Sequence, residues 1–190
     1  MSSTNAPFGL RPAFHPSGLD RAQALANGIA SAYNTDILKG QPVKLNSSGN
    51  IVVAAAGDSF QGAFAGVEWT DTTGRRRVSN YWPANTAYQA GSCVAYFYND
   101  PLIVYEIQAD GSVAQTAIGD NANFSNLTAG STTTGLSQCT MSATLTGTST
   151  YGQLRIVDLA PYADNAWGDA YTIVRVQIAN HQLVATLNAI

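Results

Sequence analysis

Carboxylates that could carry out acid–base chemistry are scarce, because Glu68 and Glu106 are the only two glutamates in the chain. Each lies beside an aromatic residue, Trp69 or Tyr105, in a run of residues that is typical of a strand. Two carboxylates in one cleft form the arrangement that glycosidases use. We favour a different interpretation, in which both side chains occupy outward strand positions and face solvent or a neighbouring subunit.

A second polar group, rich in oxygen ligands, lies near the C-terminus. It comprises Asp158, Asp164, Asn165 and Asp169 together with the aromatic residues Tyr162 and Trp167. The oxygens could bind calcium, and the rings with the neighbouring aspartates could form a platform for a sugar. Because the spacing matches no EF-hand loop and Asp and Asn are frequent in turns, we favour a structural role. The sequence leaves both a metal and a glycan open here.

The two cysteines and two histidines do not form a metal-binding pattern. Structural zinc sites bring their ligands in closely spaced pairs, whereas Cys93, Cys139, His15 and His181 are far apart in the chain. The cysteines are expected to be buried apolar thiols in strands. The sequence also contains no nucleophile elbow, phosphate-binding loop or metalloprotease motif. We therefore predict a protein that is not an enzyme and needs no metal or cofactor.

The densest charge is the run Arg75, Arg76 and Arg77, which Tyr81 and Trp82 follow. Nucleic-acid binding would require a wider basic face or more interleaved aromatic residues, and the net charge of −3 gives no electrostatic reason to expect it. Arginine suits protein interfaces because its planar guanidinium pairs with carboxylates through two hydrogen bonds. We interpret the run as a solvated hairpin tip or an anchor on an acidic partner, and we expect no nucleic-acid partner.

The composition indicates a surface that is unusually poor in charge. Charged residues make up 11% of the chain, less than half of the roughly 25% that is usual. Such a surface is favoured when partners cover much of it or when the protein works outside the cell. The longest apolar run, residues 51–56, is too short to cross a bilayer, and the N-terminus lacks the apolar segment of a secretory signal. We therefore expect no membrane association.

Short runs rich in branched and aromatic residues alternate with turn signals at intervals of roughly eight to twelve residues. The clearest group, residues 36–69, is predicted to be a compact β-meander that ends in a strand over residues 60–69. Residues 70–83 are predicted to form a polar loop or hairpin tip, Asp110-Gly111 a further hairpin turn, and residues 119–135 a long loop. Other strands are predicted over residues 91–98, 102–108, 138–145, 154–159 and 172–178, with a short final strand over 181–187.

This spacing predicts an all-β fold, either a β-sandwich or a barrel, of jelly-roll-like or β-tulip-like form. Residues 36–190 are expected to be the β-domain, in which two β-subunits that divide near residue 100 would share sheets. Gly57, Gly62 and Gly66 are expected to permit bulges or a close approach of backbones in a curved sheet.

Residues 1–35 are expected to form an extended N-terminal arm. Three prolines and two glycines among the first eighteen residues oppose both helix and regular sheet. Phe8, Leu10 and Phe14 would anchor the arm, either along another surface or as a strap on the protein's own β-domain. Residues 19–32 are the only helical candidate, and their Ala-rich pattern predicts one or two weak turns.

Several stretches together resemble the capsid cement, or head decoration, proteins of tailed bacteriophages. They are NAPFGLRP at residues 5–12, KGQPVKLNSSGNIVVAAAGDSFQGAFAGVEW at 39–69, DPLIVYEIQADG at 100–111 and QLRIVDL at 153–159. The resemblance implies a β-rich protein that binds the outside of an HK97-type capsid at joints between capsomers, often as an oligomer. It also implies a stabilising role without chemistry.

Composition and resemblance lead to one functional prediction, a structural virion protein on the outer capsid surface that is made in the host cytoplasm. Its partners would be the major capsid protein and copies of itself, as a homotrimer or alternatively a dimer. The candidate contact residues are Phe8, Leu10, Arg11, Phe14, Arg75, Arg76, Arg77, Tyr81 and Trp82. The main alternative is a carbohydrate-binding β-sandwich that uses the loop around Tyr162 and Trp167.

Overall fold

The computed structural model describes residues 2–18, 21–147 and 150–186, and within these it contains fourteen strands and a single 3-10 turn, Gln115–Ala117. In chain order the strands are β1 (Arg11–Phe14), β2 (Gln23–Ala26), β3 (Pro42–Leu45), β4 (Ile51–Val53), β5 (Gly62–Thr70), β6 (Arg76–Ser79), β7 (Val94–Tyr98), β8 (Val104–Gln108), β9 (Asn121–Ser125), β10 (Gly130–Ser131), β11 (Leu136–Ser137), β12 (Thr140–Leu145), β13 (Leu154–Leu159) and β14 (Ile173–Ile178). The all-β prediction is therefore confirmed.

Two large antiparallel sheets make up the molecule. The first sheet has the order β2-β7-β5-β3-β4, and β6 pairs with the remaining part of the β5 edge. The second sheet has the order β1-β8-β14-β13-β9-β12. The chain leaves the first sheet at Tyr98 and enters the second at Val104, and among the strands of these two sheets β1 alone departs from this division. Strands β10 and β11 pair with each other in a separate two-stranded sheet.

The second sheet curls upon itself. Ala109, directly after β8, forms an isolated bridge to Met141 of β12, which brings opposite ends of the strand order together. Inside the curve, β8 contributes Tyr105 and Ile107 to the core. Phe60, which precedes β5 of the first sheet, enters the same core and packs edge-to-face on Phe124 with ring centroids 5.1 Å apart. The two sheets are thus joined by shared apolar packing as well as by the chain.

The first sheet has its own core, centred on aromatic residues. Trp82 is fully buried and packs edge-to-face against Trp69 at 5.6 Å and Tyr88 at 6.0 Å between ring centroids. Such pairs stabilise a fold beyond the area that they bury. Cys93 lies in this core and Cys139 lies in the core of the second sheet, as expected of apolar thiols.

Two predictions about local pairing were wrong. Residues 36–69 do not form a sequential meander, because β5 pairs with β3 on the side opposite β4 and with β7 beyond. Turn spacing reveals a hairpin such as β3–β4, but it does not reveal on which side the next strand adds. The Asp110-Gly111 turn likewise does not join two neighbouring strands, since β8 pairs with β1 and β14.

Three predictions about local conformation were also wrong. The weak helix expected over residues 19–32 is replaced by β2, whose four residues pair with β7. Long-range pairing outweighs the modest helix preference of alanine in so short a segment. The loop expected over residues 119–135 contains β9, whose Ala122 and Phe124 are buried in the core. The final strand predicted over residues 181–187 is reduced to a bridge between His181 and Phe60, and residue 187 lies outside the described residues.

Gly62 and Gly66 confirm the expectation of close backbone approach, but it was wrong for Gly57, which lies in a turn where an added Cβ would meet no atom within 4 Å. The pairing of β5 with β7 shifts register between Phe64 and Gly66, which is a β-bulge. A Cβ atom on Gly62 would lie 1.5 Å from the carbonyl oxygen of Tyr98, and one on Gly66 would lie 3.0 Å from that of Ser79. Only glycine fits where strand backbones approach this closely.

Two glutamine side chains, the buried Gln153 and the half-buried Gln182, join the two sheets. Gln153, beside β13, accepts a hydrogen bond from the Phe124 N–H and donates to the carbonyls of Ala55 and Asp58, in the turn that follows β4. Gln182 exchanges two hydrogen bonds with the backbone of Leu45 in β3. Because buried backbone groups need partners, these amides help to fix the first sheet relative to the second.

Replacing Gln153 with leucine should therefore destabilise the protein by about 2–3 kcal/mol, because it leaves one buried donor and two acceptors without their partner. Urea denaturation of the variant checks this. The matched control is Gln115→Leu, at an exposed position in the 3-10 turn, which should change the free energy of unfolding little. Equal effects of the two substitutions would contradict the role assigned to Gln153.

Candidate contact surfaces

The N-terminal segment lies along β8 and supplies β1, an edge strand of the second sheet. Gln108 donates a hydrogen bond to the Thr4 carbonyl and accepts one from the Ala6 N–H, and β1 then pairs with β8. Pro12 is tolerated within β1 because an edge strand leaves some N–H groups unused. The outward face of β8 is thereby covered, which explains why all five of its residues are buried.

Beneath this segment, Glu106 forms the centre of a charged cluster. Arg11 donates to its Oε2 at 2.7 Å, the Tyr162 hydroxyl donates to the same oxygen, and Arg175 Nε lies 3.6 Å from Oε1. Burial alone would raise the pKa of Glu106, but these hydrogen bonds and the two guanidinium charges outweigh it and hold the pKa below its ordinary value. The expectation that Glu106 faces solvent or a neighbouring subunit was wrong, because the side chains of Arg11, Tyr162 and Arg175 surround it and leave it 7% exposed.

Glu68 lies in the first sheet and has a simpler environment. Arg76 of β6 donates to its Oε2 at 2.5 Å, and this hydrogen bond lowers the pKa of Glu68. The two glutamates thus stand on different sheets, each paired with arginine and each with a lowered pKa. A glycosidase needs one carboxyl group with a raised pKa opposite the other, so this arrangement does not support hydrolysis.

The arginine run forms the turn side of the β5–β6 hairpin, as predicted for residues 70–83. Arg77 donates to Asp71 at 2.8 Å, and Asp71 also accepts hydrogen bonds from the Thr73 hydroxyl and from the N–H groups of Thr73 and Arg75. These contacts, led by the Thr73 hydroxyl, hold the pKa of Asp71 far below its ordinary value. Among the described residues, Arg75 has no ion-pair partner. The hairpin is ordered by its own carboxylates and presents its guanidinium groups outward.

The contact candidates predicted from sequence divide into exposed and buried residues. Phe14 is 41% exposed and Arg175 lies over its ring at 5.3 Å, while Phe8 is half-buried beneath Arg11. Tyr81 is also half-buried. Leu10 and Trp82 are fully buried in the two cores, because their large apolar side chains pack within this chain rather than on its surface. They are therefore not surface contacts.

The loop around Tyr162 and Trp167 is held by internal hydrogen bonds. The buried Asn165 side chain donates to the carbonyls of Ala160 and Ile173 and accepts from the Ile173 N–H, all within 3.0 Å. Asp169 accepts from the Ser2 hydroxyl and the Ala166 N–H. Tyr162 is in contact with Glu106, and Trp167 packs against the core. Within the described residues, no three His, Cys, Asp or Glu side chains form a group that could hold a metal ion.

The cysteines and histidines predicted not to form a zinc site lie in separate environments. Burial raises the pKa of Cys139 to about 11, so the thiol is protonated at neutral pH. His15 lies 3.3 Å from Asp100, and His181 Nε2 donates to the Asn99 carbonyl at 3.1 Å. Both histidines therefore contact the segment that connects the two sheets.

His181 should make stability depend on pH in mild acid. The Leu183 N–H donates to its Nδ1, so the buried ring is neutral, and burial lowers the pKa below the ordinary 6.5. The unfolded chain binds this proton more readily, so the free energy of unfolding is highest above about pH 6.5 and falls as pH decreases toward the folded pKa. Urea denaturation across this range should give a flatter profile for His181→Gln. The exposed Gln115→Leu variant, which keeps His181 and changes no ionisable group, is the control and should retain the wild-type slope.

Sequence reasoning missed two residues of these surfaces. Val78 is 75% exposed on β6, and Arg175 reaches Glu106 from β14. Val78 directly follows the arginine run, and the alternation of side-chain direction along a strand was the signal that could have identified it as exposed. Arg175 is brought to Glu106 by the β14–β8 register, which pairs the two residues directly, and this register is not readable from local sequence.

No helix within residues 2–18, 21–147 and 150–186 has the length and apolar character needed to cross a membrane. Comparison with known proteins gave no match, whether to a protein-family model, to a curated protein or to a solved structure.

Proposed function

We propose that the protein is a structural virion protein that binds the outer surface of an HK97-type phage capsid and strengthens contacts between capsomers. Its partners are the major capsid protein and further copies of itself, as a homotrimer or alternatively a dimer. The proposal is supported by the distribution of the side chains that are available for binding. Exposed apolar and arginine side chains occur on strand edges and hairpins, whereas the glutamates of the described strands are already paired with arginines.

A contact function explains this distribution better than catalysis does. Phe14 on edge strand β1 and Val78 on β6 are exposed, as are Leu102 and Leu136. Burial of these apolar groups against a partner would be favourable. The low proportion of charged residues, 11%, agrees with a surface that is largely covered in an assembly.

The N-terminal segment would contribute through its exposed side chains rather than by reaching away from the body. Its β1 pairs with β8 and its Leu10 lies in the core, so removal of residues 1–18 would damage the fold itself. Point substitutions at Phe14 or in the arginine run change the surface without removing core residues. They are the better probes of capsid binding.

Co-sedimentation with empty HK97-type shells, assembled from the cognate major capsid protein, tests the proposal. The folded protein should pellet with the shells and reach saturation at a fixed stoichiometry. Recovery of the protein only in the supernatant at concentrations well above that of the shell subunits would overturn the proposal. Light scattering of the free protein distinguishes trimer, dimer and monomer.

The arginine run gives a specific prediction in the same assay. Arg75→Glu should weaken shell binding by about tenfold or more, because it reverses the charge of an exposed side chain without an ion-pair partner in the described chain. Arg21→Glu is the matched control, since Arg21 is also exposed but lies outside the hairpin. Equal weakening by both variants would show that only net charge matters and would remove the hairpin from the binding surface.

A carbohydrate-binding module is a second proposal, and the exposure of Tyr162 beside Asp164 favours it. A cavity of about 210 Å³ borders both residues, together with Arg11 and Phe8. Glycan-array binding that is lost in Tyr162→Ala, with no binding to shells, would favour this function over the first. Binding to shells without glycan binding would exclude it.

A further inference from the structure

Strand β6 has one edge that no other described segment pairs with. Its four residues pair with β5 in the register Thr70↔Arg76, Trp69↔Arg77, Glu68↔Val78 and Val67↔Ser79. On its other side the strand meets no partner strand among the described residues, and Arg76, Arg77 and Val78 are exposed. Unpaired edges are sites where a further strand can add.

The hydrogen-bonding pattern shows which groups the free edge presents. The Asp71 N–H donates to the Arg75 carbonyl, whereas the Thr70 backbone pairs with Ser92 and Gln89 on the opposite side of β5. Because antiparallel ladders alternate, Arg77 and Ser79 bond to β5. The N–H and C=O groups of Arg76 and Val78 therefore point outward, as a two-residue binding edge.

The side chains along this edge fit an extended acidic segment. Val78 is 75% exposed and offers an apolar contact, and Arg76 and Arg77 precede it. The run of Arg75 to Arg77 holds three of the nine positively charged residues of the chain, although the net charge of the protein is −3. Such a local concentration attracts carboxylates of a partner and disfavours pairing with the same strand of a second copy, since arginines would then oppose arginines.

The existing ion pairs of the hairpin do not prevent this. Arg76 is 70% exposed and Arg77 is 52% exposed in their pairs with Glu68 and Asp71. Exposed pairs of this kind are weak and can be exchanged for pairs with a partner's carboxylates. The intramolecular carboxylates also hold the two guanidinium groups in place before a partner arrives.

We propose that the outer edge of β6 receives an extended, carboxylate-bearing peptide segment of a partner as an added strand, through the backbone of Arg76 and Val78. This inference rests on the proposed function, since it specifies how the hairpin of the capsid-binding surface would bind. The strand addition itself requires only an acidic peptide, so it can be tested without a capsid. Main-chain bonds would supply affinity, and the arginines would select acidic segments.

Amide hydrogen exchange measured by NMR tests the proposal on the full chain. The probe is a short capped peptide of alternating threonine and glutamate. Two other ligands are compared with it: the same peptide with lysine in place of glutamate, and a short single-stranded oligothymidylate. In the free protein, the Arg76 and Val78 amides should exchange faster than those of Arg77 and Ser79. The acidic peptide should protect the Arg76 and Val78 amides, and the lysine peptide should not.

Two substitutions separate strand addition from simple charge attraction. Val78→Pro removes an outward N–H without removing a bond to β5, and it should weaken binding of the acidic peptide by about tenfold. Val78→Thr keeps the N–H and should bind as the wild type does. Protection of the Arg77 amide in both variants verifies that the hairpin is intact.

Several outcomes would overturn the proposal. These are absence of protection at saturating acidic peptide, equal protection by the lysine peptide, and wild-type binding by an intact Val78→Pro hairpin. Preferential binding of the oligothymidylate would assign the edge to nucleic acid instead. Peptide binding without shell binding would support strand addition and exclude the proposed capsid function. Shell binding without peptide binding would exclude strand addition and support the capsid function.

Discussion

The Gly62→Ala variant should lose most of its stability, by about 4 kcal/mol or more, which is at the extreme of single substitutions. The added Cβ would lie 1.5 Å from the Tyr98 carbonyl oxygen and 2.7 Å from its carbonyl carbon. Because these are backbone atoms of the neighbouring strand β7, the clash can be relieved only by separating β5 from β7. That separation would open the centre of the first sheet. Urea denaturation followed by circular dichroism measures the effect.

The matched control for this prediction is Gly57→Ala. Gly57 also has a positive φ of 81°, but an added Cβ would meet no atom within 4 Å. The expected cost is about 1–2 kcal/mol from the left-handed backbone alone. If both variants were equally destabilised, backbone conformation rather than strand approach would be the reason for glycine at position 62.

The Glu106→Gln variant should be destabilised by about 2–3 kcal/mol. The substitution leaves the charges of Arg11 and Arg175 beside a neutral amide under β1, and breaking a buried ion pair from one side costs more than the pair contributes. We place the value below that of a fully buried pair because the Arg11 side chain is 48% exposed. Denaturation at pH 7 measures it.

Glu68→Gln is the control for Glu106→Gln, since Glu68 is the other glutamate and is also paired with an arginine. Its partner Arg76 is exposed, so little change in the free energy of unfolding is expected. Only the Glu106 variant should show faster amide exchange in β1, the strand that covers the cluster. A larger loss of stability in Glu68→Gln than in Glu106→Gln would contradict the assignment of Glu106 as the buried anchor of the N-terminal segment.

The local pattern of the sequence predicted most strands of the body. Runs of branched and aromatic residues between turn signals identified β7 and β8, and alternation of apolar and polar residues identified β12, β13 and β14, each to within a few residues. Gly62 and Gly66 marked the bulge in β5, because glycine weakens a strand interior and is favoured there where backbones approach closely. These signals are local, and each depends on the backbone preference of the residue itself.

The pairing partners could not be predicted in this way. Strand β5 adds beside β3 rather than beside β4, and β1 crosses to the second sheet, because long-range register decides which edges meet. The same limit applies to the candidate surfaces. Arg11, Tyr162 and Arg175 gather around Glu106 from distant parts of the chain, and no spacing in the sequence joins them.

The amide contacts between the two sheets were equally invisible in the sequence. Gln153 and Gln182 are ordinary polar residues by composition, yet each satisfies backbone groups of a segment about 95 residues or more away. A polar side chain becomes structural only when folding buries it beside unpaired backbone groups. Its role is therefore a property of the fold and not of its neighbours in the sequence.

The proposed strengthening of a capsid from the outside is tested most directly by the thermal disruption of empty shells. Calorimetry of HK97-type shells saturated with the folded protein should show a disruption temperature above that of bare shells. Shells incubated with Arg75→Glu should disrupt at an intermediate or unchanged temperature. An unchanged disruption temperature with saturating wild-type protein would contradict the account.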